Sequence, residues 1–345
     1  MGEHAAVYGQ PALVAAIDPR ARVEARLLRD GLQIELADFD LRLETSWDEA
    51  RARADRSREA WQRYADQPTP ERFSEVGSGT PADLAVVALG ELAAVLAENH
   101  LPPMAIRVAS SLPIGSGFGS SASIAVAILG AVLTLLRGSA DLQVIDDLAL
   151  EVERRQHGLP SGVDHKTVLY GGVVMAERRQ DDSLQVTRLE TRSTLLERLQ
   201  VFQTGQPAET TGEVVAAVRR RRDSDTEIIE RLFERMGKGV QRFRDQLVLA
   251  DTGATEVNEL FREYERCLEE LGVVPQGVRE TIREVEAEGG SSKISGAGAL
   301  TGTAAGCLLV HWPAGEDTEK VRGLHGFDRQ AVELGTEGLR VEDLQ

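Results

Sequence analysis

The chain is poor in cysteine, lysine and aromatic residues. Cys267 and Cys307 are the only two cysteines in 345 residues. They make no disulfide framework, and the expected setting is a reducing one, the cytoplasm. Lysine occurs four times, at Lys166, Lys238, Lys293 and Lys320, among 39 basic residues, and none precedes Lys166. With 3 Trp, 4 Tyr and 8 Phe, the core must be built mainly from Ala, Val, Leu and Ile. Long apolar runs are missing too. The longest, Ile124 to Leu136, is closed by Arg137 and falls short of the roughly 20 residues needed to cross a bilayer, so it predicts a buried helix. No basic stretch followed by an apolar one opens the chain, and no signal peptide is expected. Acid is in excess: the net charge is −17. Bulk attraction to nucleic acid or an anionic membrane is therefore excluded as a binding mode.

At about 150 residues per domain, the length predicts two domains. The opening third predicts short strands at Leu13–Ile17, Val23–Leu28, Leu32–Leu36 and Leu41–Glu44, from alternating apolar residues and turn signals. A polar helix is expected over Trp47–Asp66, a loop over Gln67–Thr80, a helix over Pro81–Asn99 and a strand over Met104–Ser110. A glycine-rich turn, Pro113 to Gly119, leads into the apolar helix, and a second helix runs from Leu142 to Gln156. Strands are expected at Val168–Ala176, Leu184–Leu189 and Leu199–Phe202. Helices follow at Glu213–Arg222, Glu227–Leu249, Val257–Leu271 and Gln276–Glu288, with final strands near Cys307–His311 and Gln330–Leu334. The fold class is α+β in two halves, 1–190 and 191–345.

The strongest local signal is Pro113-Ile114-Gly115-Ser116-Gly117-Phe118-Gly119-Ser120-Ser121-Ala122-Ser123. Glycines there let the backbone approach a ligand and aim successive N–H groups at it. The helix start adds unpaired N–H groups and a positive dipole end. A tight strand-to-helix turn with serine caps would read the same way. No Gly-Lys-Ser/Thr follows the glycines, so this is not a Walker-type loop. The strand and acidic residue of a dinucleotide fingerprint are also missing.

This segment resembles the phosphate-binding motif of the GHMP kinase superfamily. Gly2-Glu3-His4-Ala5-Ala6-Val7-Tyr8-Gly9 resembles its first motif, in the form carried by the branch that phosphorylates mevalonate, and Ser292-Lys293-Ile294-Ser295-Gly296-Ala297-Gly298 resembles the third. Pro160-Ser161-Gly162-Val163-Asp164 with Tyr170-Gly171-Gly172 is similar to the catalytic-aspartate segment, and Thr204 to Thr210 to the stretch opening the second domain. The resemblance implies an N-terminal domain like the second domain of ribosomal protein S5, joined to a ferredoxin-like C-terminal domain. It also implies ATP-dependent transfer of a phosphoryl group to the C5 hydroxyl of mevalonate, with Mg2+, in isoprenoid synthesis. Another small-molecule kinase of the superfamily, or a catalytically impaired ligand-binding homologue, is the alternative. Small molecules are the expected partners, and self-association into a homodimer is left open.

By the same resemblance, Pro113, Gly115, Ser116, Gly117, Gly119, Ser120, Ser121 and Ala122 cradle the ATP phosphates, with Gly296, Ala297 and Gly298 lining the nucleotide and substrate cleft. Ser121 and Glu153 would hold Mg2+. Asp164 would accept or orient the proton of the substrate hydroxyl, and Thr210 would stabilise the transferring phosphate or the substrate. Glu3, His4 and Gly298 are expected near the substrate. Two features bear on Glu153 and Thr210 independently. A carboxylate at Glu153, in the last turns of a helix, opposes the helix dipole, which hints at function, although Arg154 and Arg155 could compensate it on the surface. Thr210 is equally readable as a helix N-cap ahead of Glu213.

Departures are also visible. His165 and Lys166 follow Asp164 where Asn is usual, and Lys166 reads as a surface residue or a phosphate contact. Ala299-Leu300-Thr301 replaces further glycines of the third motif. Lys293 reads as a structural or rim residue. The first motif of the superfamily normally opens with an apolar strand carrying Ala-Pro-Gly-Lys, whereas this sequence starts at Met1-Gly2-Glu3-His4. An in-frame strand with that lysine is expected upstream of Met1, the alternative being a natural truncation.

Overall fold

The structure is a computed structural model. It describes all residues except 78, 97–99, 113–117, 180–182, 250–252, 314–317 and 344–345. Along the chain run β1 (Ala12–Ala15), β2 (Ala21–Leu27), β3 (Leu32–Leu36), β4 (Leu41–Thr45), α1 (Trp47–Asp66), α2 (Pro70–Ser74), α3 (Asp83–Leu96), β5 (Met104–Ser110), α4 (Ser120–Arg137), α5 (Leu142–His157), α6 (Asp164–Tyr170), β6 (Val173–Arg178) and β7 (Leu184–Leu189). The remainder is β8 (Leu199–Gln203), α7 (Thr211–Ser224), α8 (Thr226–Val248), α9 (Ala254–Glu270), α10 (Gln276–Ala287), β9 (Ser291–Ser295), β10 (Cys307–His311) and β11 (Asp328–Gln330). The α+β class expected from the sequence is borne out.

The chain forms two compact units, and they do not divide at residue 190 as expected. Among the described residues, one comprises 19–112, Gly119–Gly171 and 337–343; the other joins Met1–Asp18 and Phe118 to Gly172–Thr336. The cause is long-range pairing. β1 pairs antiparallel with β6, and its Leu13 shares a core with Val173, Met175, Phe202 and Val240. The tail after Thr336 returns to the other unit, where Leu339 N–H donates to Leu169 O at 3.2 Å.

The unit holding α4 is built on a four-stranded sheet of order β2-β5-β3-β4, antiparallel except for the parallel β3–β5 pair. Alternation in β3 puts Leu32, Ile34 and Leu36 into the core with Met104, Ile106 and Val108. α1 is launched by a capping box between Ser46 and Glu49, which satisfies two otherwise orphan backbone donors. α4 packs against β2, α3, α5 and α6 and buries Ala125, Val126, Ile128, Leu129 and Val132. It is long and apolar enough to span a membrane by length and composition alone, but in the fold it is the central core helix, as the short apolar run predicts.

Two elements differ from expectation near this helix. Val168 to Tyr170 are helical, the last turn of α6, and the strand begins only at Val173. Gly171 and Gly172, at φ 66° and 73°, break the chain between them, a conformation that side-chain-bearing residues rarely adopt. Asp164 is accordingly the first residue of a helix and not a loop residue.

The other unit contains the antiparallel sheet β1-β6-β7 and a second antiparallel sheet of order β11-β8-β10-β9. Counted within that sheet, the order is 4-1-3-2, the ferredoxin-like arrangement. α8 lays Ile229, Leu232, Phe233, Met236, Val240, Phe243 and Leu247 on the shared core, a helical stripe at three- and four-residue spacing. The expected strand over Gln330–Leu334 is shorter and earlier, at β11, with Leu334 making a single bridge to Ile17.

β9 is a strand the sequence does not announce, because Ser-Ser-Lys-Ile-Ser is polar, yet Ser291, Ser292, Lys293 and Ile294 are buried. Distant side chains satisfy it. Asn258 on α9 accepts from Ser291 Oγ at 2.7 Å and from His311 Nδ1 at 2.8 Å, and donates to Gly289 O at 2.9 Å. The fully buried His311 is thereby held neutral; burial, with help from the Arg198 charge, lowers its pKa to about 4. An unfolded chain protonates this histidine near pH 6.5, so the folded state loses its contribution as pH falls from about 6.5 toward 4. The melting-temperature gap between the parent protein and His311→Gln should therefore narrow across that window; a pH-independent gap would show that His311 is not held neutral by the fold.

Candidate active site

Within the unit built around α4, the site starts at Gly119. This residue is the helix N-cap with φ 67° and offers no side chain to the first turn. Ser123 N–H is already bonded to Gly119 O, so the N–H groups of Ser120, Ser121 and Ala122 lie ahead of the intrahelical ladder, where a helix presents positive partial charge. Among the described residues no side chain caps the start of α4. Ser121 turns its hydroxyl to α5 instead, donating to Glu153 Oε1 at 2.8 Å and contacting His157 Nε2 at 2.9 Å. Pro113, Gly115, Ser116 and Gly117 lie outside the described residues.

Glu153 is 2% exposed. Arg154 and Arg155 do not compensate it: both pair with Glu151, and Arg155 also with Glu91 at 3.2 Å. The half-exposed His157 imidazole stands 3.8 Å from the second Glu153 oxygen, and burial lowers its pKa, favouring the uncharged ring. Burial, and next the charge of nearby Asp164, push the Glu153 carboxyl up to about 8 against the stabilising Ser121 hydrogen bond. A buried carboxyl, a hydroxyl oxygen on it and a second carboxylate close by form a set of hard oxygens in which an arriving cation would favour the ionised Glu153. Mg2+ suits this donor set, because it takes one or two hard protein oxygens and leaves its other positions to water and phosphate.

Asp164 is exposed at the first position of α6. Two contacts fix the end of α5 ahead of that helix. α5 stops at Gly158, whose φ is 77° and where any Cβ would lie 2.7 Å from the Tyr64 ring, and Trp61 Nε1 donates to Gly158 O at 2.6 Å. Beyond the turn, Lys166 and the buried His165 both face Asp146 on α5. Lys166 is thus neither a surface residue nor placed as a phosphate contact: it fastens α6 to α5 and so fixes Asp164. Its pairing, together with that of His165, overrides the effect of burial and lowers the pKa of Asp146.

Within the other unit, Glu3 and His4 are gathered with the third motif. His4 has φ 59°, a region that costs a non-glycine residue about 1–3 kcal/mol. Its Nε2 donates to Ala297 O at 2.9 Å, and burial lowers its pKa despite that bond. Gly298 passes so close to Val273 O that a Cβ would lie 2.1 Å away, which explains the glycine. Leu300 and Thr301, where further glycines were expected, are held by Glu209, which accepts from Leu300 N–H at 3.1 Å and Thr301 Oγ1 at 2.5 Å. Thr210 is the N-cap of α7, in a capping box with Glu213: it accepts Glu213 N–H at 3.3 Å, and its hydroxyl donates to Glu213 Oε2 at 2.8 Å. Lys293 is no rim residue, being fully buried against Glu3.

The structure therefore gathers Ser121, Glu153 and Asp164 in one unit, and Glu3, His4 and Ala297 in the other. His157 and Glu209 were missed from the sequence. For His157 a signal existed, since it stands four residues after Glu153 on one helix face. Glu209 had none, because its partners are about 90 residues away.

Residues 75–172 match the family model of the GHMP kinases N terminal domain. The mevalonate kinase of Pyrococcus furiosus is 29% identical over 353 residues, covering 99% of this chain and 95% of that protein. The human mevalonate kinase is 27% identical over 379 residues, covering 99% and 91%. Among solved structures, a mevalonate kinase crystal structure superimposes with a TM-score of 0.75 at 19% identity, covering 97% of this chain and 96% of that one. The Methanococcus jannaschii mevalonate kinase gives 0.72 at 20% identity, covering 96% and 93%. With the motif residues assembled as described, the chain is similar over nearly its whole length to mevalonate kinases, and over residues 75–172 to the GHMP kinases N terminal domain.

Proposed function

We propose that this protein transfers the γ-phosphoryl group of ATP to the C5 hydroxyl of mevalonate, yielding 5-phosphomevalonate and ADP. The observation that carries the reading is the buried Glu153 carboxyl, bonded to Ser121 at the open start of α4 and beside Asp164. Phosphoryl transfer needs phosphates cradled, their charge neutralised and a hydroxyl held in line, with little covalent work by the protein. The α4 N-terminus supports the first task. Ser121 and Glu153 would hold Mg2+, which when bound supplies the neutralising charge. The choice of mevalonate rests on the relatives, which are mevalonate kinases over nearly the whole chain.

In the reaction, Asp164 accepts the C5 hydroxyl proton as that oxygen bonds to the γ-phosphorus and the bond to the ADP oxygen breaks. Glu3, His4 and the Gly296–Gly298 turn bind the acceptor. The Thr210 hydroxyl caps α7 and donates to Glu213, so its contact with phosphate or substrate would require giving up that bond. Both substrates are small soluble anions, consistent with a cytoplasmic enzyme.

Purified protein given ATP, Mg2+ and a panel of alcohols, including mevalonate, phosphomevalonate, homoserine and hexoses, should form ADP fastest with mevalonate. Preference for another member of the panel would overturn the substrate assignment. Asp164→Asn should fold normally and lose at least about a hundredfold in turnover, the usual scale for a positioned base. A folded Asp164→Asn protein with turnover near that of the parent would remove Asp164 from the mechanism.

A further inference from the structure

We infer that Lys293 is a positioning residue for acceptor binding: its buried ammonium clamps Glu3 and thereby sets the Glu3–His4 segment against the Gly296–Gly298 turn. The inference rests on the proposed reading that this segment meets mevalonate.

Lys293 is 0% exposed and lies on β9, the strand that leads into that turn. Its Nζ donates to Glu3 Oε1 at 2.6 Å and to Ile294 O at 2.5 Å, and lies 5.4 Å from the centre of the Tyr264 ring. A buried ammonium is costly unless paired and hydrogen-bonded, and an apolar side chain of similar volume would fill the same space without that cost. The charge is therefore retained for something other than packing.

Two buried carboxyls compete for it, and the geometry selects one. Glu265, on α9, spends Oε2 on Ile294 N–H at 2.9 Å, and burial pushes its pKa up to about 8, so it is mostly neutral. Glu3 is equally desolvated, yet Lys293 beside it, and next the Met1 amine 3.9 Å away, hold it down at about 2.

Further ties converge on the same few residues. Gly2 N–H donates to the Tyr264 hydroxyl at 2.6 Å, and His4 Nε2 donates to Ala297 O at 2.9 Å. His4 sits in a strained backbone conformation, which persists only where the surroundings over-determine it. The Lys293–Glu3 pair is the strongest such constraint, being charge-assisted and dry. It has a second effect: an unpaired Glu3 carboxylate would repel an anionic acceptor, whereas the pair is locally neutral.

Lys293→Met should raise the KM for mevalonate at least about tenfold, while the KM for ATP moves less than about twofold. Amide exchange over residues 2–5 should accelerate at least about tenfold, since local opening is no longer opposed by the pair. Glu3→Gln combined with Lys293→Met removes both buried charges and serves if the single variant does not fold. It should melt no lower than the single variant while amide exchange over residues 2–5 stays accelerated, whereas a lysine that serves stability alone predicts exchange that recovers with the melting temperature. A mevalonate KM within about twofold of the parent, or an equal rise in both KM values, would overturn the inference. Failure of the parent chain to phosphorylate mevalonate would instead overturn the proposed acceptor, leaving the exchange rates to decide whether the clamp exists.

Discussion

A carboxyl group buried without a cation is the constraint on which the site depends. Removing a carboxylate from water costs several kcal/mol unless charge or hydrogen bonds return it. Glu153 receives a hydrogen bond from Ser121 and a like charge from Asp164, and its pKa rises to about 8. The neighbouring arginines are committed to Glu151 and Glu91. Stability alone would favour an apolar residue or a paired one at this position. In the proposed reaction this group would meet the cation that arrives with the substrate, and its surroundings are the start of the core helix α4 and the last turns of α5.

The same chain shows the opposite solution elsewhere. Glu3 is also buried, but Lys293 is brought to it, and its pKa falls to about 2. Lys166 is likewise spent on Asp146, where it fastens α6. In a chain of net charge −17 with four lysines, two of those lysines serve as anchors for residues on or next to the site. Recognition of the proposed anionic substrates would thus be local. It is supported by a helix N-terminus and by neutralised carboxylates, against an acidic surface whose field is screened within about 10 Å.

Much of the fold was legible because local rules and tertiary structure agree. α1, α4 and α5 follow from apolar periodicity and end signals such as Ser46, Asp141, Gly138 and Gly158. The misreadings arise where long-range partners decide. β9 reads as a polar loop, but Asn258, Glu265 and Glu3, far away in sequence, satisfy its buried groups. Val168 to Tyr170 look like a short apolar strand, and only docking of α6 on α5 and the turn at Gly171–Gly172 make them helical. The interleaving of the two units depends on β1 finding β6, a pairing no local pattern encodes. At the site, the position of Glu153 against the helix dipole was visible, whereas its burial and the role of His157 were not.

The most direct measurement of the central claim is the Mg2+ concentration that gives half-maximal turnover at saturating ATP, compared between the parent protein and Glu153→Gln. Gln keeps the volume and removes the charge that the metal would meet. The account predicts that this concentration rises at least about tenfold, the loss of one metal-ligand contact, with a melting temperature no lower than that of the parent. An unchanged metal requirement accompanied by a lower melting temperature would show that Glu153 is a structural residue and that the buried carboxyl is not the seat of the cation.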